Sequence, residues 1–114
     1  MNLHQKQTVF VLNVIQLLEF IFSKGYSVTF GETYRTPEQA KLNAQKGIGI
    51  VDSLHCKRLA IDLNLFDPQG NYLTKSNDHE PFGLYWQSLH PHNRWGGLFK
   101  KLKDGCHYEM QDII

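Results

Sequence analysis

Several features that would place this chain in a specialised class are missing from its sequence. The 114 residues contain only two cysteines, Cys56 and Cys106, which is too few for a disulfide framework, and we expect both to be free thiols. Basic and acidic side chains nearly cancel, and the net charge of +1 gives no basis for a nucleic-acid partner. The longest apolar run, residues 9–22, is interrupted by polar residues and is too short to span a bilayer, so we expect no membrane insertion.

The N-terminus also lacks the pattern of a secretory leader, in which a basic segment precedes an apolar stretch and a small-residue cleavage site. We therefore expect the protein to be located in the cytoplasm at first and to need another component for any export. An apolar content of 41% with 20% charged residues is typical of an ordinary globular protein. The length suits one domain, residues 1–114, with one hydrophobic core, and we expect a monomer.

Hydrophobic periodicity predicts an α+β fold. Apolar residues recur at helical spacing over residues 8–23 and 82–89. Thr36 followed by Pro37 is typical of the start of a helix, which should run to about Lys46. Alternation of apolar and polar residues predicts strands at residues 27–32, 60–66, 71–73 and 106–111. The expected architecture is a small antiparallel sheet with helices packed against it.

The first segment that carries reactive side chains is residues 53–62, which follows a glycine-punctuated loop at residues 47–52. His55 and Asp62 lie seven residues apart, and Asp62 falls inside an otherwise apolar predicted strand. Burying a carboxylate in such a strand is costly unless another group pairs with it. One interpretation is that His55 and Asp62 simply pair with each other.

A second segment, residues 104–109, adds the imidazole of His107. Together with His55 and Asp62 it would supply two imidazoles and one carboxylate, a ligand set that suits zinc. Three protein ligands leave the fourth position of zinc open for water, which is the pattern of catalytic sites rather than structural ones. The residues are therefore consistent with a catalytic zinc site as well as with the simpler pair.

A zinc hydrolase also needs a group that accepts a proton from water and passes it to the leaving amine. Two carboxylates near His107 are candidates: Asp104 precedes it by three residues, and Glu109 shares its predicted strand face. Physical reasoning alone favours neither. Thiolate ligation of the metal by Cys56 or Cys106 is a further alternative.

Other polar residues have less specific patterns. The histidines within residues 78–80 and 90–92 are interpreted as groups near helix ends without a metal role, because exposed histidines are common there. Arg35 lies between a predicted strand and a predicted helix and, on the residues alone, is best read as a surface arginine. Ser53 is equally well explained as a hydroxyl that caps a loop or as one that binds a ligand.

The first segment resembles the signature of a known zinc peptidase family. Ser53, His55, Ala60 and Asp62 fit its Ser-x-His-x-x-Gly-x-Ala-x-Asp pattern. That family holds D-alanyl-D-alanine dipeptidases and carboxypeptidases and phage L-alanyl-D-glutamate endopeptidases (endolysins). Arg58 departs from the pattern, because it stands where the signature has glycine. Glycine often serves a positive φ, which arginine adopts only at a cost.

The C-terminal segment extends the resemblance. Asp104 and His107 are similar to the family's second motif, an acidic residue three positions before a histidine. Residues 95–97, Trp-Gly-Gly, resemble the same tripeptide that precedes this motif in the phage enzymes. The resemblance runs from about residue 34 to residue 109, which is nearly the whole chain. It implies the small α+β zinc fold shared by these peptidases and the hedgehog signalling domain.

The resemblance also implies roles for individual residues. The zinc ligands would be His55, Asp62 and His107, with Asp104 as the general base and Glu109 orienting a ligand imidazole. Arg35 would bind substrate or stabilise the developing oxyanion, and Ser53 would help to bind substrate.

The implied activity is zinc-dependent hydrolysis of a peptide bond in peptidoglycan stem peptides, with L-alanyl-D-glutamate as the expected bond. A phage endolysin of this kind would be made in the cytoplasm of the infected host and would depend on a separate pore-forming protein, a holin, for export. Cleavage of D-alanyl-D-alanine is the alternative reaction. A non-catalytic zinc-binding module, as in hedgehog, is the alternative of another class.

Overall fold

The computed structural model describes residues 1–47 and 53–113, and within these ranges three α-helices pack against one antiparallel sheet. The helices are α1 (Leu3–Ser23), α2 (Pro37–Gln45) and α3 (Glu80–Leu89). The strands are β1 (Ser27–Phe30), β2 (Ala60–Phe66), β3 (Tyr72–Leu73), β4 (Asn93–Trp95) and β5 (His107–Met110). The strand order is β1-β2-β5-β4, and β3 also pairs with β2. The predicted α+β class is confirmed.

The sheet is organised around β2, which pairs antiparallel with β1, β3 and β5. Leu63 and Leu65 of β2 are completely buried, and they contribute to the core between the sheet and the helices. In the register of β2 with β5, Asp62 lies opposite His107. The strand pairing itself therefore places two of the predicted ligands side by side.

The core is filled by apolar side chains of α1, α3 and the sheet. Leu17 and Ile21 of α1 are fully buried, as is Trp86 of α3. The ring of Phe10 meets that of Trp86 edge to face with 5.5 Å between the ring centroids, an arrangement favoured by aromatic quadrupoles. Helix α1 is 21 residues long and has the mean hydropathy of a membrane-crossing helix. The expectation that the N-terminal apolar segment is too short to span a bilayer is therefore wrong as an argument from length. The buried face of α1 instead supports a role of this helix in the core.

Local capping residues set the helix starts. For α1 the capping residues lie before the segment in which apolar residues recur at helical spacing. α1 begins at Leu3 rather than near residue 8, because Asn2 and Gln5 form a capping box with hydrogen bonds of 2.8 and 2.9 Å. α2 begins after Thr36, whose Oγ1 accepts from the Gln39 N–H at 3.0 Å, as predicted. Gly47, with a φ of +73°, ends it. The rest of the predicted loop at 47–52 lies outside the described residues.

Strand β4 was not predicted from the sequence. It spans only three residues, which are too few for alternation to be recognised in a sequence. Tertiary contacts hold it instead: the buried Asn93 amide donates to Asn13 Oδ1 at 2.8 Å and to the Trp86 carbonyl at 3.0 Å. These bonds tie β4 to α1 and α3, so that β4 can pair with β5 beside the site.

Candidate metal centre

Asp62 and His107 meet across the β2–β5 pair. The Nδ1 atom of His107 lies 3.1 Å from Asp62 Oδ1. His107 is largely buried, whereas Asp62 keeps a side-chain exposure of 24% and faces the open side of the sheet. The contact spans 45 positions of the chain, so it exists only in the folded protein.

His55 completes the cluster from a short 3₁₀ turn, Leu54–Lys57. The turn begins at Ser53, whose Oγ accepts a hydrogen bond from the His55 N–H at 3.2 Å. Within it His55 is 2% exposed, and its Nε2 lies 3.3 Å from Asp62 Oδ1. Ser53 therefore caps the turn that presents His55, which places it beside the cluster without assigning it a contact to substrate.

The donor atoms of His55, Asp62 and His107 all lie within 4.8 Å of one another. Zinc with tetrahedral bonds of about 2.0–2.1 Å holds neighbouring donors about 3.3 Å apart. The two distances measured from Asp62 Oδ1, 3.1 and 3.3 Å, agree with that spacing. The residues therefore fit a zinc ion, and the simpler interpretation of a His55–Asp62 pair omits the third member.

The charges of this cluster are strongly coupled. Burial opposes ionisation of Asp62, but hydrogen bonds to His107 and His55 outweigh it and lower the pKa of Asp62 to about 2. Burial alone would lower the pKa of His107, whereas hydrogen bonds to Asp62 and Glu109 and their charges raise it to about 9. Without metal, His107 is therefore protonated at neutral pH, and a metal ion at Nδ1 must displace that proton.

Glu109 holds the other side of the His107 ring. Its Oε1 lies 2.8 Å from His107 Nε2, and its Oε2 accepts from Arg94 Nε at 2.7 Å and pairs with Arg94 Nη2. Burial opposes ionisation of Glu109, but the hydrogen bond to His107 lowers the pKa of Glu109 below its usual value. A carboxylate on the far nitrogen of a ligand imidazole fixes the ring and its tautomer. The geometry favours this orienting role for Glu109, and Arg94 is a partner that sequence reasoning missed.

Asp104 lies beside Asp62, in the turn that precedes β5, and the two carboxylates each offer an oxygen within 4.8 Å of the other. Its backbone N–H donates to the Gly96 carbonyl at 2.9 Å, and its own carbonyl accepts from the His107 N–H at 3.0 Å. A Cβ atom on Gly96 would come within 2.1 Å of the Asp104 carbonyl oxygen, so this close approach requires glycine. The Trp-Gly-Gly stretch therefore folds the Asp104 turn back beside the metal ligands.

The two cysteines differ in their relation to the cluster. Cys106 Sγ lies 3.3 Å from Asp104 Oδ1. Cys106 and Asp104 each offer a donor atom within 4.8 Å of a carboxylate oxygen of Asp62. Burial and the neighbouring carboxylates raise the pKa of the Cys106 thiol to about 12, which disfavours a thiolate ligand in the metal-free protein. Cys56 instead directs its thiol toward the Thr36 carbonyl at 3.9 Å. Both are free thiols, as expected.

Arg35 approaches the cluster beside His55. Its backbone N–H donates to the His55 carbonyl at 3.3 Å, and its guanidinium pairs with Glu32, whose Oε1 also lies 3.7 Å from His55 Nε2. The buried Nε of Arg35 has no hydrogen-bond partner among the described residues. The surface interpretation of Arg35 is therefore wrong. Glu32 was not predicted; its only sequence signal was its position at the end of the predicted first strand.

The two histidine stretches set aside at the sequence level have different environments. His79 is not exposed: it is 3% accessible, and its Nδ1 lies 2.8 Å from the Tyr108 hydroxyl. Burial lowers the pKa of His79 to about 4, so it is neutral at pH 7. His90 Nδ1 accepts from the His92 N–H at 3.0 Å, and within residues 1–47 and 53–113 neither ring joins a metal-binding group.

Arg58 adopts the conformation that the glycine of the signature would favour. Its φ and ψ are 55° and 37°, in the left-handed region, where it ends the turn that carries His55. Its guanidinium stacks over the Tyr34 ring at 4.0 Å from the centroid, a cation–π contact. The departure from the signature therefore leaves the backbone path of the turn intact.

Comparisons with known proteins identify a family and a shared fold. A family model described as D-alanyl-D-alanine carboxypeptidase matches residues 47–110, a range that includes all three proposed ligands and Asp104. Among solved structures, the L-Ala D-Glu endopeptidase ChiX of Serratia marcescens superposes with a TM-score of 0.69 at 20% identity. The superposition covers 88% of this chain and 77% of that chain, and it shows a common fold. No curated protein sequence gives a match.

Proposed function

The chain belongs to the D-alanyl-D-alanine carboxypeptidase family, and we propose that it is a zinc-dependent peptidase acting on the stem peptides of bacterial peptidoglycan. The observation that carries the proposal is the cluster of His55, Asp62 and His107, whose donor distances of 3.1 and 3.3 Å match those around tetrahedral zinc. Asp104 beside this cluster supplies the additional carboxylate that hydrolysis requires.

Each residue of the site then has a distinct task. When bound, zinc supplies a Lewis acid that polarises the scissile carbonyl and promotes the ionisation of water. Asp104 accepts the proton of the attacking water and passes it to the leaving amine. Arg35 stabilises negative charge that develops on the carbonyl oxygen. Glu109 keeps the His107 ring oriented with Nδ1 toward the metal.

We propose L-alanyl-D-glutamate as the bond that is cleaved. The Trp-Gly-Gly stretch before Asp104 supports this choice, as does the fold shared with an L-Ala D-Glu endopeptidase. The description of the matching family favours D-alanyl-D-alanine as the second candidate. A non-catalytic zinc module is the least favoured candidate, because a structural zinc ion needs no carboxylate such as Asp104 beside it.

The test is digestion of purified peptidoglycan with zinc-loaded protein, followed by identification of new amino termini by mass spectrometry. Cleavage of L-alanyl-D-glutamate exposes the amine of D-glutamate, whereas cleavage of D-alanyl-D-alanine releases free D-alanine. The Asp104→Asn variant, loaded with the same amount of zinc, is the matched control for chemistry. Absence of any new terminus with a full complement of zinc would assign the chain to the non-catalytic class.

A further inference from the structure

A pocket of about 100 Å³ adjoins Asp104 on the side of β3. One wall is the segment that follows β3, and the opposite wall is the turn before β5; the polar residues that line them are Thr74, Lys75, Ser76, His79, Asp104 and Cys106. The pocket therefore adjoins the proposed general base, and Arg35 does not line it. Its volume is enough for a carboxylate-sized group and a few water molecules.

The floor of the pocket carries a buried histidine with one nitrogen left for a ligand. His79 is 97% buried, and Tyr108 occupies its Nδ1 at 2.8 Å. If the buried Tyr108 hydroxyl donates to Nδ1, the proton of the neutral ring resides on Nε2, the nitrogen that this contact leaves for a ligand. Burial keeps this imidazole neutral at pH 7 because it lowers the pKa of His79 to about 4.

The walls of the pocket are held close by a specific contact. The Gly105 N–H donates to Ser76 Oγ at 3.0 Å, which leaves the hydroxyl proton of Ser76 available to a ligand. A Cβ atom on Gly105 would come within 2.4 Å of Ser76 Cα, so only glycine allows this approach. Lys75 is the one lysine or arginine lining the pocket within the described part of the chain. The pocket thus combines hydrogen-bond donors and a single cation with the carboxylate of Asp104.

The position of Asp104 indicates which part of a substrate reaches this pocket. Asp104 returns the proton to the leaving amine in the proposed reaction, so that amine lies next to Asp104. The amino acid that carries the amine must then extend past Asp104, into the pocket. In both candidate bonds this amino acid bears a free α-carboxylate next to the amine, because D-glutamate is linked through its γ-carboxyl and the terminal D-alanine is unlinked.

We propose that this pocket binds the free α-carboxylate of the amino acid released as the amine, with Lys75 as its ion-pair partner and Ser76 and His79 as hydrogen-bond donors. The inference rests on the proposed peptidase function but goes beyond it, since it names a determinant of specificity. Charge-assisted hydrogen bonds of this kind are the stronger ones in proteins. A neutral carboxamide in place of the carboxylate loses the ion pair and presents an extra donor to Ser76 and His79.

The experiment compares two synthetic peptides that differ only at this group: N-acetyl-L-alanyl-γ-D-glutamyl-L-lysine and its D-isoglutaminyl counterpart, in which the α-carboxylate is an amide. We expect the zinc-loaded protein to cleave the glutamyl peptide with a kcat/KM about fivefold to tenfold higher. Lys75→Gln should reduce this preference to less than about twofold. Lys41→Gln, an equal charge change on the exposed face of α2, should keep the full preference.

A binding measurement separates this pocket from the reaction itself. The zinc-loaded Asp104→Asn protein should bind the uncleaved glutamyl peptide more tightly than the isoglutaminyl peptide, and Lys75→Gln in the same background should remove the difference. The glutamyl peptide should also shift the ¹⁵N resonance of His79 Nε2. If the wild type cleaves the two peptides equally, or if Lys75→Gln keeps the preference, the assignment of the pocket is wrong. If neither peptide is cleaved but the Lys75-dependent binding difference persists, the proposed reaction fails while the pocket stands.

Discussion

Arg58 shows how a single residue can keep a backbone path at an energetic cost. A non-glycine residue in the left-handed region costs about 1–2 kcal/mol, and the cation–π contact with Tyr34 offsets about 0.5–1 kcal/mol of this. The contact explains why an arginine is tolerated at the position where the family signature has glycine. The conformation of the turn, and with it the placement of His55, is therefore retained.

The positive φ of Arg58 predicts different outcomes for two substitutions at this position. Arg58→Ala keeps the strained φ and loses the contact with Tyr34, so it should destabilise the protein by about 1 kcal/mol. Arg58→Gly relieves the strain and should be about 1 kcal/mol more stable than Arg58→Ala. Urea unfolding of both zinc-free variants provides the measurement. Equal stability of the two would mean that φ at this position is not positive in solution.

The roles of Asp104 and Glu109 can be separated by removing one charge at a time. Asp104→Asn keeps the size of the side chain but cannot accept a proton, so zinc content should be unchanged and the hydrolysis rate should fall at least ~100-fold. Glu109→Gln should reduce both zinc affinity and rate by about 10- to 100-fold, because the His107 ring loses its charged partner. Zinc content and turbidity clearing are measured on both. An active Asp104→Asn beside an inactive, zinc-loaded Glu109→Gln would reverse the two roles.

Arg35 should affect the reaction without affecting the metal. Its guanidinium touches Glu32 and not the ligand atoms, so Arg35→Ala should retain zinc and fold. Loss of a fixed cation beside the reacting carbonyl should lower peptidoglycan hydrolysis by about 100-fold. Lys41→Ala on α2 serves as the control for removal of a positive charge. Wild-type hydrolysis by Arg35→Ala at equal zinc content would remove Arg35 from the site.

At the scale of secondary-structure elements, the β2–β5 pair concentrates ionisable groups whose protonation is linked to folding. His107 has a folded pKa of about 9 against an ordinary value of 6.5, so its contribution is complete below pH 6.5 and is lost as the pH rises through 9. Asp62, with a pKa of about 2 against 3.8, contributes above pH 3.8 and less as the pH falls through 2. His79, which precedes α3 and is neutral and buried, acts in the same direction as Asp62. Its contribution to folding stability is complete above pH 6.5 and is lost as the pH falls through 4.

We therefore expect the metal-free protein to be most stable near pH 6.5. Between pH 6.5 and 9 it should lose up to about 3 kcal/mol, which corresponds to a difference of about 2.5 between the folded and unfolded pKa of His107. Chemical unfolding over this range measures the loss. His107→Gln should flatten the alkaline side of the profile while leaving the acid side in place. An unchanged alkaline decline in that variant would assign the effect to another group.

At the scale of the whole molecule, the metal site joins segments that are far apart in the chain. His55 comes from a turn, Asp62 from β2 and His107 from β5, so a bound ion would link all three. A ligand that binds only the folded state stabilises it, by about 2.7 kcal/mol at a concentration 100-fold above its Kd. Removing zinc with a chelator should therefore lower the Tm by roughly 10 °C.

His55→Ala is the matched variant for this prediction. It removes one ligand, so it should lose tightly bound zinc, and the chelator should leave its Tm unchanged. Metal analysis and thermal unfolding on the same sample test both statements. Full zinc occupancy in His55→Ala would exclude His55 from the ligand set.

The sequence alone was sufficient for the fold class and for the three side chains that the structure brings together, His55, Asp62 and His107. Helix α2 and strand β2 were predictable because their signals are local: a capping threonine before proline, and alternation of apolar and polar residues over positions 61–65. The resemblance to the peptidase family rested on two spacings in the sequence, that between His55 and Asp62 and that between Asp104 and His107. Local chemistry of this kind acts between neighbours in the chain, and a single sequence displays it directly.

Other features depended on contacts that only the tertiary structure makes. The contacts of the two candidate bases are of this kind: Glu109 engages Nε2 of His107 and also Arg94, whereas Asp104 lies beside Asp62. Burial of His79 beneath the pocket, and the pairing of Glu32 with Arg35 next to His55, had no local sequence pattern. The physical reason is that burial and long-range pairing depend on how the sheet register and helix packing bring distant residues together, and no local propensity encodes that geometry.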